Sequence, residues 1–193
     1  MEDKDLAGVL EFLRNAERLK DVNRSSWTGG GSPESVAAHT WRLCLMATVL
    51  APEFPELDAG KLLKMCIVHD LGEALSGDVP AVDQDPSAPK SDSERLDLQQ
   101  LLEPLPAQIA AGLLELWDEY EGAASPEARI AKALDKLETI MQHNQGANPA
   151  SFNYEFNLDY GARYTSVHPL TRRIRALLDE DTRRRMVERS NEP

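Results

Sequence analysis

The sequence predicts an all-α fold of the helical-bundle kind. Apolar residues recur at three- and four-residue spacing through every periodic segment. Ser-Pro-Glu, a capping hydroxyl followed by Pro and an early acid, opens two of those segments, at Ser32 and at Ser125. No convincing period-2 run marks a strand, so helices must pack on helices.

Taken in order, Leu6, Val9, Leu13 and Ala16 give a first amphipathic helix over about residues 5–19. From Lys20 to Gly29-Gly30-Gly31 the composition is that of a loop. It carries Arg24 and Trp27: an Arg that can fork onto a phosphate and a Trp that can wall a pocket, or a surface Arg and a Trp folded onto the core. Ser32-Pro33-Glu34-Ser35 starts a second helix, running to about Leu50 with Val36, His39, Leu43, Ala47 and Leu50 as its apolar stripe. His39 therefore lies on the buried face, where a lone histidine is ordinarily a satisfied core residue.

A third helix starts near Asp58 and carries Val68-His69-Asp70-Leu71-Gly72-Glu73. On a helix, Glu73 would share a face with His69 and Asp70. Burying an imidazole and two carboxylates unpaired is costly, and a cation held by His69 and Asp70 would offset that cost while activating a water. Gly77-Asp78-Val79-Pro80 then opens an irregular acidic stretch with Pro86 and Pro89, expected as a surface loop. Asp78 is either a turn residue or a polar group aimed into the site.

A fourth helix starts near Ser91, with Glu94 completing a capping box, and ends before Pro104. A fifth runs from Pro106 to Gly122 with Ile109, Leu113, Trp117 and Tyr120 as its stripe. Ser125-Pro126-Glu127 opens a sixth, with Ile130, Leu134, Leu137 and Met141 inward. Asp135 is off the centre of that stripe, and spacing alone makes it an exposed residue. From His143 to His168 the chain is polar, yet it holds Phe152, Tyr154, Phe156, Tyr160 and Tyr164. These aromatics are expected to wrap over the helices and to share in a dimer contact. Pro169 starts a helix with Leu170, Ile174 and Leu177, and a last helix covers about residues 180–189.

Length and composition limit the function classes. The 193 residues fit one domain, with a core over about 5–145 and the aromatic loop and C-terminal helices over 146–193. A net charge of −12 argues against nucleic-acid polymers. It leaves room for a small phosphate ligand, because one cation and one Arg make a local positive site. The arginines of residues 172–189 lie among acids and read as solvated helix faces. No stretch reaches transmembrane length. The acidic N-terminus lacks a secretory segment, and Cys44 and Cys66 form no CxxC pair, so a reducing cytoplasm is expected.

The order His39, His69-Asp70, then distant Asp135 resembles the HD-domain metal-dependent phosphohydrolases, and most closely their 5'-deoxynucleotidase group. The resemblance rests on Pro33 to His39, Val68 to Ala74, Ser76 to Pro80 and Ala133 to Glu138, with Arg24 and Trp27 ahead of the first histidine. It implies that His39, His69, Asp70 and Asp135 ligate one divalent ion: manganese, cobalt, iron or zinc. It also implies that Glu73 positions or deprotonates the attacking water, that Arg24 holds the phosphate, and that Asp78 contacts the sugar. Trp27 would wall the sugar pocket and favour deoxyribose. The implied reaction is hydrolysis of deoxyribonucleoside 5'-monophosphates to deoxyribonucleoside and phosphate, in a homodimer that binds neither nucleic-acid polymer nor membrane. The alternatives are phosphodiester or nucleoside-triphosphate hydrolysis by the same metal set, or a metal- or nucleotide-binding module without turnover. The chain departs from the group in having Ala38 where an acidic residue often precedes the first histidine, and in the Gly29-Gly30-Gly31 insert.

Overall fold

The chain opens with α1 (Asp3–Ala16) and a 3₁₀ turn over Glu17–Lys20. Val9, Phe12 and Ala16 face the core, whereas Leu6 and Leu13 are 47% and 55% exposed. The helical period holds, but the inward face is rotated from the expected one. The computed structural model describes residues 1–79 and 90–190. The expected acidic loop with Pro80, Pro86 and Pro89 lies outside the described residues.

The expected loop before the second helix is instead a small antiparallel hairpin, β1 (Asn23–Trp27) and β2 (Pro33–Ser35). Asn23 pairs with Ser35 and Trp27 with Pro33, with an irregularity between them. Its buried face is polar: Ser26 donates to Glu34 at 2.7 Å. That is why no hydrophobic alternation signals it. The hairpin also moves the helix start. The cap of α2 (Val36–Leu50) is Ser35, accepting from the Ala38 N–H at 3.2 Å, rather than Ser32.

After α2 comes α3 (Ala59–Val68), capped by Asp58, which accepts from the Lys61 N–H at 3.0 Å. The helix stops at His69 rather than carrying the whole motif. Leu71 N–H to Val68 and Glu73 N–H to Asp70, both 3.1 Å, make tight turns into α4 (Glu73–Ser76). The chain continues as α5 (Lys90–Leu102), α6 (Ala107–Glu121) and α7 (Pro126–Gln145). Ser125 caps α7 as expected, accepting from Ala128 at 3.1 Å.

α7 packs against α2, α3, α6 and the later helices, so it is buried on most of its circumference. The amphipathic reading therefore fails for it, and Asp135 is only 4% exposed. The aromatic segment contains α8 (Phe156–Asp159) and α9 (Ala162–Thr165). Tyr154 is buried there, and Phe152, Phe156, Tyr160 and Tyr164 are half-buried. The expected pair of C-terminal helices is one, α10 (Pro169–Ser190). Its Arg175 is buried and donates to the carbonyls of Asn157, Leu158 and Tyr160 at 2.5–2.7 Å, holding α8 down. Among the described residues no helix is long and apolar enough to cross a membrane.

Two apolar clusters result. One joins α2, α3, α7 and α10 around Leu43, Leu62, Met65, Leu134 and Leu137. The other joins α1, α4, α5 and α6 around Leu71, Leu98, Leu102 and Trp117. Gly72 fixes how closely α5 meets the turn after His69. A Cβ there would lie 2.6 Å from the Glu94 carbonyl oxygen and 3.4 Å from Leu98 N. Gly72→Ala should therefore cost about 1–3 kcal/mol, as overpacking does. The check is the denaturant midpoint, and an unchanged midpoint would contradict this close approach.

Candidate metal centre

The C-terminal end of α3, the first turn of α2 and the middle of α7 meet in one polar pocket. α2 brings His39, which is wholly buried. The end of α3 brings His69 and Asp70, and the Trp117 indole N–H holds that end by donating to the His69 carbonyl at 3.0 Å. α7 brings Asp135. The two imidazole rings stand 5.4 Å apart.

Each imidazole has one nitrogen committed to the protein. His69 Nδ1 donates to the Cys66 carbonyl at 2.9 Å, and His39 Nδ1 donates to the Glu138 carboxylate. Both Nε2 lone pairs are thereby turned into the pocket, and a carboxylate or carbonyl behind the ring is the usual support of a metal-ligating histidine. Both Nε2 atoms are buried and make no hydrogen bond of sound geometry. Yet carboxylate oxygens stand close. Asp70 Oδ2 is 3.0 Å from His69 Nε2 and 3.8 Å from His39 Nε2, and Asp135 Oδ1 is 3.3 Å from His39 Nε2. Donors bound at about 2.0–2.2 Å to one ion lie roughly 3–3.5 Å from one another. The donor atoms of His39, His69 and Asp70 all fall within 4.8 Å of one another, and Asp135 adjoins them through His39. The residues present fit a divalent cation.

The electrostatics agree. Asp70, Glu73, Asp78, Asp135, Glu34 and Glu138 crowd a region in which Arg24, Arg42 and Lys136 are the cations that contact them among the described residues. Burial works to raise Asp135, but Lys136, His39 and His69 pull it well below the usual carboxylate range. Burial likewise opposes the charge on Asp70, and His69, His39 and Arg24 overcome it. Burial and Arg24 disfavour a positive His39, yet Glu138 and Asp135 outweigh them and push it up to about 9. A field that favours positive charge on a buried imidazole will also draw a cation. A second acidic group, Glu34 and Glu138 behind His39, already has its counter-charges. Arg42 Nε donates to Glu138 at 2.6 Å, and Arg24 Nε lies 3.6 Å from Glu34.

The cluster opens onto a cavity of about 350 Å³. Every other residue singled out from the sequence lines it: Arg24, Trp27, Glu73 and Asp78, beside Asp70 and Asp135. Arg24 is tethered there by Thr139 Oγ1 at 3.0 Å and Asp70 Oδ2 at 3.4 Å. Glu73 is buried, while Trp27 and Asp78 are half-buried.

Sequence reasoning missed several participants. Glu138 sits three positions after Asp135 on one helix face, a spacing that could have pointed to it. Tyr120, read as a core aromatic, donates its hydroxyl to Asp135 Oδ2 at 2.9 Å. Thr139 carried no local signal, and the aromatics Phe152, Phe156 and Tyr160 signalled burial without pointing to the cavity.

Comparison with known proteins places the chain among relatives. A family model described as HD domain matches residues 16–175. The 5'-deoxynucleotidase HDDC2 of Mus musculus is 36% identical over 141 residues, covering 72% of this chain and 70% of that protein. Its Homo sapiens counterpart is 34% identical over 139 residues, covering 71% of this chain and 67% of that protein. A crystal structure described as a predicted metal-dependent phosphohydrolase from Magnetospirillum magnetotacticum MS-1 matches with a TM-score of 0.79 at 30% identity, covering 94% of this chain and 95% of that one.

Adding manganese to chelator-treated protein should raise Tm. Free ion at about 100 times Kd stabilises by about 2.7 kcal/mol, and Glu138→Gln should weaken that affinity about 10–100-fold. A Tm indifferent to both chelator and ion would count against the centre.

Proposed function

The chain belongs to the HD-domain family, and from that premise we propose that it is a metal-dependent phosphomonoesterase acting on deoxyribonucleoside 5'-monophosphates. The observation that carries this reading is the pair of buried Nε2 atoms converging on Asp70 and Asp135 at the wall of a cavity that also holds Arg24 and Glu73. His39, His69, Asp70 and Asp135 would hold the ion. Two imidazoles and two carboxylates suit manganese, cobalt, iron or zinc. Once bound, the ion supplies Lewis acidity toward the phosphoryl group and makes water a better nucleophile.

The chain's own residues do the rest. Arg24 is held beside Asp70 by Thr139, so its guanidinium can neutralise charge growing on the equatorial phosphoryl oxygens. Glu73, buried at the cavity wall, takes the proton of the attacking water as its oxygen bonds to phosphorus. The bond to the 5'-oxygen breaks, and the nucleoside leaves as the alcohol with the proton that Glu73 received. Tyr120 keeps Asp135 from rotating. Burial and Asp135 raise its phenol well above the usual value, so it remains a donor. Trp27 and Asp78, both on the cavity wall, are placed to meet the sugar, with Trp27 disfavouring a 2'-hydroxyl.

Glu73→Ala should cut turnover by about two to four orders of magnitude with the ion retained. Phosphate release from deoxy- and ribonucleoside monophosphates, with metal and with chelator, checks both the residue and the reaction. Release confined to diesters or triphosphates would replace this substrate class, and loss of the ion in Glu73→Ala would make Glu73 a ligand.

A further inference from the structure

The cavity has two chemically different halves. One is ionic, with Arg24, Asp70, Glu73 and Asp135; the other gathers around His143, with Phe152 packed on its ring and Trp27 tied to the neighbouring Gln142, while Phe156 lines the cavity beside Tyr160. α7 measures the distance between them. His143 follows Asp135 by eight positions, about 12 Å along the axis at about 1.5 Å per residue. Thr139, which tethers Arg24, stands between the two. That span matches the reach of a mononucleotide from its phosphorus to the far edge of its base.

The protonation of His143 is fixed by a chain of hydrogen bonds. Thr182 Oγ1 and Asn157 Nδ2 both donate to Asn144 Oδ1, at 2.9 and 3.3 Å, while Asn144 Nδ2 donates to the Leu178 carbonyl at 2.9 Å. The amide nitrogen of Asn157 is thus committed, and its Oδ1, 2.7 Å from His143 Nδ1, must accept. Nδ1 carries the proton, so Nε2 is an acceptor. Burial pushes the ring's pKa down, which keeps it neutral. Among the described residues nothing bonds to Nε2. Phe152 stands edge-on to this ring at 4.9 Å and is braced in turn by Tyr154 at 4.9 Å.

We propose that this half of the cavity is a nucleobase subsite, in which the base lies against Phe152 and Phe156 and an N–H on its edge donates to His143 Nε2. The assignment rests on reading the ionic half as the phosphate end. Stacking faces accept any base, so the subsite separates nucleotides from simple sugar phosphates rather than one base from another. Each of the common bases presents an amino or imino hydrogen that His143 Nε2 can accept.

The test is calorimetric binding of deoxyadenosine 5'-monophosphate and of 2-deoxyribose 5-phosphate to the chelator-treated full-length chain, where turnover consumes neither. The unsubstituted chain should prefer the nucleotide by about tenfold or more, the size of a base–aromatic contact. Phe152→Ala and His143→Phe should each remove most of that preference, and Phe152→Leu less of it. Phe152 is half-buried on an irregular segment, so its two variants carry the test if His143→Phe fails to fold. Equal affinities in the unsubstituted chain, binding of neither ligand, or a preference that survives Phe152→Ala would overturn the proposal. Phosphate release by the manganese-loaded chain is read separately: a preference without turnover keeps the subsite and sinks the hydrolase reading.

Discussion

His39 is buried completely, with Glu138 on one side of its ring and Asp70 and Asp135 on the other. Among the described residues, His39 and Glu138 are both charged or chargeable groups with no exposure at all. Isolated buried charges are very unfavourable, and they persist only when paired, hydrogen-bonded or bound to an ion. The protein answers on the outer side with Arg42 and Arg24, which close over Glu138 and Glu34. On the inner side the two imidazoles offer lone pairs and the carboxylates offer oxygens. Those donors suit a divalent cation.

The surrounding architecture can be understood as what holds this arrangement still. Trp117 pins the end of α3 through the His69 carbonyl. Tyr120 and Lys136 both contact Asp135 Oδ2 at 2.9 Å, leaving Oδ1 toward His39. The hairpin is a further brace: it brings Arg24 and Glu34 to the site, and the Gln142 side chain donates to the Trp27 carbonyl across to α7. Gly146 lets that strand come close, since a Cβ there would lie 2.3 Å from the Trp27 carbonyl oxygen. One long helix thus spans the ion cluster, the tether of Arg24 and the aromatic half of the cavity.

Much of this was legible in the chain. Helical spacing located α2, α3, α6 and α7, and the Ser125-Pro126-Glu127 start matched its cap. His39 fell on the buried stripe of α2, and His69-Asp70 stood out as adjacent ligand types. Asp135 could be named only through the resemblance to HD-domain proteins. A period of 3.6 residues identifies one inward face, and α7, with neighbours on most sides, has no single outward face. The hairpin was illegible because its buried face is Ser26 and Glu34 rather than alternating apolar residues. The aromatics of residues 152–164 announced burial but not which surface they covered. Phe152 and Phe156 proved to line the cavity.

The central claim is that His39, His69, Asp70 and Asp135 share one ion, and anomalous diffraction from manganese-loaded crystals addresses it most directly. A single strong peak is expected at roughly 2.0–2.3 Å from both Nε2 atoms and from a carboxylate oxygen of each aspartate, on ordinary metal–ligand distances. A peak bonded elsewhere, or one bonded to the histidines but not to Asp135, would contradict it.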